Sequence, residues 1–448
     1  MLRVKERMNK MRRTGMLWLL ISSSIFILWG SVLERNSPGG MADFKAVYYG
    51  ARCLIHHSDP YKEGDFLRVY RAEGGTFPTD PALSLKFYRA VPICINLPTS
   101  LFLLTPLAML AWGPAHVLWM IISAGSLILA AYLMWQLAGS YAPGVSLLLV
   151  CLVLANSEIL LMSGNLAGIA ISLCVIAAWC FLRERFVLVG MLCLALSLAI
   201  KPHDAGLVWL YFLLAGGAVR KRALQTLVLT IVLALPAVLW VTHVAPQWIE
   251  ELHSNLSATT AHGDLNDPGP VSISFHNANM VIDLQAAISI FRDDPRMYNP
   301  ASYVICGALI LAWSIHTLRT GFSTEKSLIA LAAIAAFSML PIYHREYDAK
   351  LLLLAVPACA LLWAKGGLTG WLALLINSAG VILTGDIPAA LLIIFCDHLH
   401  LGSASVLGKI VTVILMRPAP LILLVMGIFY MWMYLKGADP RLLTENAK

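Results

Sequence analysis

The chain has 448 residues, of which 59% are hydrophobic and only 13% charged. A water-soluble domain carries about half apolar and about a quarter charged residues, so this composition excludes an ordinary aqueous globule and calls for an apolar solvent around the protein. The net charge of +7 is spread over short connectors, namely Lys5 to Arg13, Arg183 to Arg185, Arg220-Lys221-Arg222, and Arg319 with Lys326, which is the positive-inside pattern of a membrane protein and no nucleic-acid signature.

In chain order, residues 1–16 form a basic cytoplasmic N-terminus and residues 17–33 a first transmembrane helix. A secretory signal has an apolar stretch of about 7 to 15 residues ending at small side chains. Here the run is longer and ends in Trp29-Gly30-Ser31-Val32-Leu33-Glu34, so a retained anchor is expected. Residues 34–91 then make a first extracytoplasmic loop. Phe44, Tyr48, Tyr49, Tyr61, Phe66, Tyr70, Phe77, Phe87 and Tyr88 make it too aromatic for disorder, and short helices packed on the membrane domain are expected.

Residues 92–244 are read as a transmembrane region. For Arg183 to Arg185 to lie inside, one apolar run before them must fail to cross. Pro92 to Leu110, with Pro92, Pro98 and Pro106, is the candidate for a re-entrant or interfacial element, because proline disrupts helical hydrogen bonding. Residues 245–300 form a second, acidic extracytoplasmic loop, residues 301–436 a C-terminal transmembrane region, and residues 437–448 a cytoplasmic tail. Long apolar runs at Leu17 to Leu33, Val117 to Leu137, Leu224 to Val244, Tyr303 to Leu318 and Ala419 to Leu435 are each about the 20 residues of a span. The expectation is an all-α polytopic membrane protein of roughly 11 to 14 membrane segments, multi-pass, in a bacterial plasma membrane, with membrane lipids as its surroundings. No solenoid period and no repeat of two halves is visible. The nine cysteines contain no CxxC pair and read as small apolar packing residues.

Candidate chemistry lies where polar residues interrupt these runs. Asp43, just after the first helix and followed by Tyr48 and Tyr49, has two readings: a helix N-cap starting a helix to about Ile55, or a general base at the membrane interface. Lys201-Pro202-His203-Asp204 and Tyr343-His344-Arg345-Glu346-Tyr347-Asp348-Ala349-Lys350 are each expected at the outer end of a helix. Their cations suit a phosphate through charge-assisted hydrogen bonds; interfacial snorkelling and local ion pairs are the bland alternative. Ser163-Gly164-Asn165 is either a hairpin turn or places Asn165 against a ligand hydroxyl. His56-His57-x-Asp59 and Asp397-His398-x-His400 lack a second ligand set at metal spacing. No metal ligand is therefore assigned, although a divalent cation bridging a donor phosphate to Asp43 stays open. Asn255-Leu256-Ser257 matches a glycosylation sequon.

The order Ala42-Asp43-Phe44, Tyr48-Tyr49, Asp59-Pro60-Tyr61, Asn96-Leu97-Pro98, Thr105-Pro106-Leu107-Ala108, Gly164-Asn165, Ile200-Lys201-Pro202-His203 and Tyr347-Asp348-Ala349-Lys350-Leu351-Leu352 resembles the family 87 glycosyltransferases, polyprenyl-phosphate-sugar-dependent membrane enzymes of the GT-C architecture. The pieces span about three quarters of the chain. This chain departs from the family at Asn96-Leu97-Pro98, where Asn-Pro-Pro or Tyr-Pro-Pro is usual, and at Gly164-Asn165, where Gly-Gln is common.

The resemblance implies a GT-C-like bundle with two long extracytoplasmic loops and an inverting transfer of a sugar, a mannose-like hexose, from a polyprenyl-phosphate donor to a glycolipid or glycan acceptor. It implies no cofactor beyond that donor and no nucleic acid. Asp43 maps onto the family's loop base. Lys201, His203 and Arg345 are the candidates for the donor phosphate, together with His344, which is alternatively a proton-transfer residue. Tyr48, Tyr49, Asn165 and Asp348 are candidates for substrate contact. A transporter or flippase, a polysaccharide polymerase or ligase, and a non-catalytic scaffold are the competing classes. Glu158, inside an apolar run, is the feature that suits a transporter.

Overall fold

The computed structural model describes residues 2–37, 39–272, 281–386 and 405–436, residues 2–12 by backbone alone. The fold is built from helices; among the described residues the only β pairing is a single antiparallel bridge between Val281 and Arg345. In chain order the helices are α1 (Leu2–Asn36), α2 (Ala42–Ile55), α3 (Glu63–Ala72), α4 (Pro81–Ala90), α5 (Pro98–Ala108), α6 (Trp112–Ala138), α7 (Pro143–Leu154), α8 (Glu158–Ser163), α9 (Ala167–Arg183), α10 (Val187–Ile200), α11 (Pro202–Leu214), α12 (Gly217–Val244), α13 (Trp248–Thr259), α14 (Leu284–Ile288), α15 (Pro295–Arg319) and α16 (Thr324–Ser338). A 3-10 segment (Glu346–Ala355) then runs into α17 (Val356–Lys365), followed by α18 (Gly367–Leu383), α19 (Val406–Met416) and α20 (Pro418–Lys436). The Asp397-His398-x-His400 cluster and the 437–448 tail lie outside the described residues.

Seven helical stretches among the described residues are long and apolar enough to cross a bilayer: Arg13–Asn36, Trp112–Ala138, Pro143–Ser163, Gly217–Val244, Pro295–Arg319, Glu346–Lys365 and Pro418–Lys436. The chain is an all-α polytopic membrane protein. The sequence reading of roughly 11 to 14 segments exceeds seven because five more apolar runs form shorter helices: α5, α9, α10, α18 and α19. Even α9, at 17 residues, reaches about 26 Å at 1.5 Å per residue, short of an apolar core about 30 Å thick. Helix breaks explain the shortening. Glu184 and Phe186 adopt positive φ between α9 and α10, and Pro202 opens α11 directly behind Lys201. In the stretch 92–110, α5 has 11 residues with Pro106 inside it.

The interior is formed by α9, α16 and the segment from Glu346 through α17. Burial reaches 89% of the apolar window in Glu346–Lys365 against 11% in Gly217–Val244, so the first is a core element and the second faces the surroundings. α16 is buried at every position from Ser327 to Ser338. Its Ala330, Ala332, Ala333, Ala335 and Ala336 let neighbouring backbones come close, which is how helices associate where the solvent is as apolar as leucine. On α12 the outward side chains are Leu224, Leu227, Val228, Ile231, Val232, Leu235 and Leu239, a surface that only lipid tolerates at this extent.

The first loop folds into α2, α3 and α4. Phe44, Tyr48, Tyr49 and Trp112 pack ring on ring, and Tyr70, Phe77 and Phe87 extend the cluster. The second loop docks on it: Asn255 donates to the Tyr61 and Cys94 carbonyls, and Arg89 pairs with Asp264 at 2.7 Å. The sequon amide of Asn255 is thus engaged inside the protein.

Gly427 on α20 lies against α16, where a Cβ would run into the buried Phe337 ring, whereas Gly307 on α15 has open space beside it. Gly427→Val is expected to cost about 1–3 kcal/mol through overpacking and to lower the thermal midpoint in detergent. Gly307→Val is expected to leave it unchanged, and differential scanning fluorimetry measures both.

Candidate active site

Asp43 sits at the second position of α2. The cap position is taken by Met41, in the left-handed region at φ 58° with no side-chain cap bond, so the N-cap reading of Asp43 is corrected. The helix does run to Ile55, but the carboxylate is turned elsewhere. Asn165 Nδ2 donates to Asp43 Oδ2 at 2.7 Å, while Asn165 Oδ1 accepts from the Ala167 amide at 2.8 Å. Asn165 therefore opens α9 and holds Asp43 at once.

The approach is allowed by Gly164, at φ 67°, where a Cβ would meet Met41 Sδ at 2.5 Å and Phe44 Cβ at 2.7 Å. Only glycine combines that backbone region with that lack of bulk. The Trp119 indole donates to the Gly164 carbonyl at 3.0 Å, and the Met41 amide to the Met162 carbonyl at 2.7 Å, locking the loop to the base of α2. Burial raises the pKa of Asp43 above the ordinary carboxylate value; the Asn165 hydrogen bond, the charges of Arg345 and Lys201, and a Ser163 hydrogen bond pull it back down. Residues 43, 201 and 345 thus share one electrostatic environment.

Lys201 occupies the break between α10 and α11. Its ammonium donates to Asp348 Oδ1, lies 3.4 Å from Asp204 Oδ2 and sits 5.3 Å from the Tyr347 ring centroid. Asp348 Oδ2 accepts from the Arg345 amide at 2.8 Å, so this one carboxylate ties Lys201 to the start of the 3-10 segment. Arg345 donates through Nε to the Tyr343 hydroxyl and through Nη2, at 3.3 Å each, to the Leu265 carbonyl and Asn266 Oδ1 of the second loop.

His344 is fully buried. Its Nδ1 donates to the Ile342 carbonyl at 2.8 Å, and its Nε2 lies 3.4 Å from Asp204 Oδ1. Burial works against a charge on His344; the Asp204 hydrogen bond and the Asp348 and Asp204 charges outweigh it and raise its pKa. His203, a third exposed, sets its Nε2 3.8 Å from the same oxygen, edge-on to His344 with ring centroids 5.1 Å apart.

A half-buried acid at the start of α2 thus shares its electrostatic surroundings with a lysine at the α10–α11 break and an arginine before the 3-10 segment. The model of glycosyltransferase family 87 matches residues 95–343, more than half of the chain. The chain belongs to glycosyltransferase family 87. Comparisons with curated proteins and with solved structures returned no match. The matched region holds Asn165, Lys201 and His203; Asp43, His344, Arg345 and Asp348 lie beyond its two ends.

In this membrane glycosyltransferase the other candidates fall in different places. Tyr48 is buried and donates to the Leu110 carbonyl at 2.7 Å. Tyr49 is buried between Trp112 and Tyr70. Both belong to the aromatic core behind Asp43, with their rings packed against Trp112. Asn165 and Asp348 are committed to Asp43, Lys201 and Arg345, so they position other groups. His56 pairs with Glu73 at 3.2 Å, and Asp59 accepts from the Tyr61 amide at 2.9 Å.

Residues with no assigned role in the sequence reading prove central. Asp204 faces Lys201, His203 and His344; Tyr343 and Asn266 hold Arg345. Their signal was present only as polar residues beside the motif histidines and cations. Deeper in the bundle, Lys350 donates to the Asn156 carbonyl and approaches Asp386 at 3.3 Å, beside the buried Glu158 and Glu346.

Asn165→Ala is expected to lower transfer at least about tenfold, because a hydrogen bond to a charged group is worth about 1.5–3 kcal/mol. A base acts ionised, so activity falls as pH drops through its pKa. Loss of the Asn165 donor destabilises the carboxylate and moves that acidic limb to higher pH, which the pH–rate profiles of the variant and the wild type measure.

Proposed function

We propose that this glycosyltransferase moves a hexose of the mannose type from a polyprenyl-phosphate donor to a hydroxyl of a glycolipid or glycan acceptor, with inversion, on the non-cytoplasmic face. The observation that carries the reading is that Asp43 lies within reach of the charges of Arg345 and Lys201, which pull its pKa down against the effect of burial. A lipid-borne donor needs its reaction centre at the membrane interface, and a phosphate leaving group needs fixed cations where charge develops.

Orientation follows from charge. Helices α9, α11 and α16 and the Glu346–Lys365 segment each have one end at the site. Their other ends, with the connectors they enter, carry Arg183 and Arg185, Arg220-Lys221-Arg222, Lys326 and Lys365. Positive connectors mark the cytoplasmic side, and this rule supports the reading of the site as outside and the N-terminus as inside. A bacterial plasma membrane suits this arrangement.

In the reaction, Asp43 takes the proton of the acceptor hydroxyl as its oxygen attacks the anomeric carbon from the face opposite the phosphate. The bond from that carbon to the phosphate oxygen breaks, and polyprenyl phosphate leaves with the electron pair. Lys201 and Arg345 stabilise its charge, while His344 and His203 stand beside Lys201 on the phosphate side. Family membership sets aside the transporter, flippase and scaffold readings. A polymerase or ligase differs from this proposal only in acceptor.

Asp43→Asn keeps the Asn165 contact sterically and removes the base. Transfer from radiolabelled polyprenyl-phosphate mannose by purified protein is expected to fall about 100- to 10,000-fold. Lys201→Met is expected to fall by at least about tenfold, with unchanged inversion in the residual product. Wild-type rates in Asp43→Asn would remove that residue from the mechanism. No consumption of any lipid-linked sugar by the wild type would refute the donor assignment.

A further inference from the structure

We propose that His203, Asp204 and His344 form a binding site for a single first-row divalent metal ion of the manganese-to-zinc series, at the phosphate side of the transfer site. One ligand atom from each of the three residues lies within 4.8 Å of the other two. The carboxylate of Asp204 divides its oxygens: Oδ2 faces the Lys201 ammonium at 3.4 Å, and Oδ1 faces both imidazoles, His344 Nε2 at 3.4 Å and His203 Nε2 at 3.8 Å.

Oδ1 of Asp204 and Nε2 of His344 are buried and face each other at 3.4 Å, in side chains 1% and 0% exposed. With His203 Nε2 3.8 Å from the same oxygen, three metal-ligating atoms, one from each residue, converge on one point. The tautomer agrees. His344 donates Nδ1–H to the Ile342 carbonyl, which in the neutral ring leaves the Nε2 lone pair directed at Asp204. A metal-bound histidine is oriented in this way, its second nitrogen tied to a backbone carbonyl or carboxylate.

Two imidazoles and one carboxylate select first-row metals over magnesium or calcium, which take oxygen ligands. An ion about 2.1 Å from each ligand in tetrahedral geometry holds the ligand atoms about 3.4 Å apart. The His344–Asp204 pair has this spacing, and His203, the partly exposed member, needs to swing inward by only on the order of an ångström. Three protein ligands leave a coordination position open. The neighbourhood of Lys201 makes a phosphate oxygen the ligand suited to that position. This last point rests on the transferase reading; the metal site itself does not.

The test is metal binding by the full-length protein in detergent, stripped with EDTA, reloaded with MnCl2 or ZnCl2, desalted and counted by plasma mass spectrometry, with Mn2+ followed by electron paramagnetic resonance. The expected result is one ion per chain in the wild type and in Asp43→Asn, at least tenfold weaker binding in His203→Ala and Asp204→Asn, and no displacement by excess Mg2+. His203→Ala alters a partly exposed side chain, so it decides the matter if Asp204→Asn does not yield monodisperse protein. Substoichiometric binding in the wild type, or unchanged affinity in His203→Ala, overturns the site and leaves an imidazolium–carboxylate pair in its place. Full-rate sugar transfer by the stripped protein overturns a role of the ion in the reaction while the transferase reading stands. One bound ion in a protein that transfers no sugar supports the site and sinks the transferase donor assignment instead.

Discussion

Everything at the site depends on one hydrogen bond across the fold, from Asn165 to Asp43. It joins the first turn of α2 to the loop before α9, residues 122 apart in sequence. A carboxylate beside a membrane interior would otherwise protonate or turn toward water, since burial disfavours its charged form. The amide donor and the nearby Arg345 and Lys201 charges oppose that tendency. Gly164 makes the contact possible, and the Trp119 and Met41 hydrogen bonds keep it rigid. The carboxylate is thus held by neighbours that are themselves held, the preorganisation that the proposed base needs.

The cations are restrained by the same logic. Lys201 is not a free charge waiting for phosphate; Asp348 and Asp204 share it. Asp348 also accepts from the Arg345 amide, so the break between α10 and α11 and the start of the 3-10 segment are tied together. A ligand phosphate would enter a balanced network and compete with carboxylates for the same ammonium, and such competition favours a group that gains charge during the reaction over one that merely carries it. The second loop completes the enclosure through Leu265 and Asn266 on Arg345.

Much of this was legible in the sequence. The apolar runs named the long helices, the aromatic loop announced packed helices, and polar interruptions marked Asp43, Gly164-Asn165, Lys201 to Asp204 and Tyr343 to Lys350. What local pattern could not supply was pairing. Lys201 and Asp348 are 147 positions apart, and no spacing rule links His203 and Asp204 to His344, so a side-chain group split between two helix breaks reads as two unrelated clusters. Asp43 looked like an N-cap because acidic residues favour helix starts, yet the chain enters α2 through Met41 with positive φ, two residues earlier than a cap at 43 requires. Tyr48 and Tyr49 stand near the acid in sequence, but helical geometry turns them into the aromatic core. The shorter helices were invisible because hydropathy does not register where Glu184, Phe186 or Pro202 stops a helix.

The most direct measurement of the central claim is an experimental structure of the protein with a non-hydrolysable polyprenyl-phosphonate mannose. The account predicts the phosphonate between Lys201 and Arg345, with the anomeric carbon turned toward Asp43. A phosphonate bound elsewhere, with the sugar remote from Asp43, would contradict it.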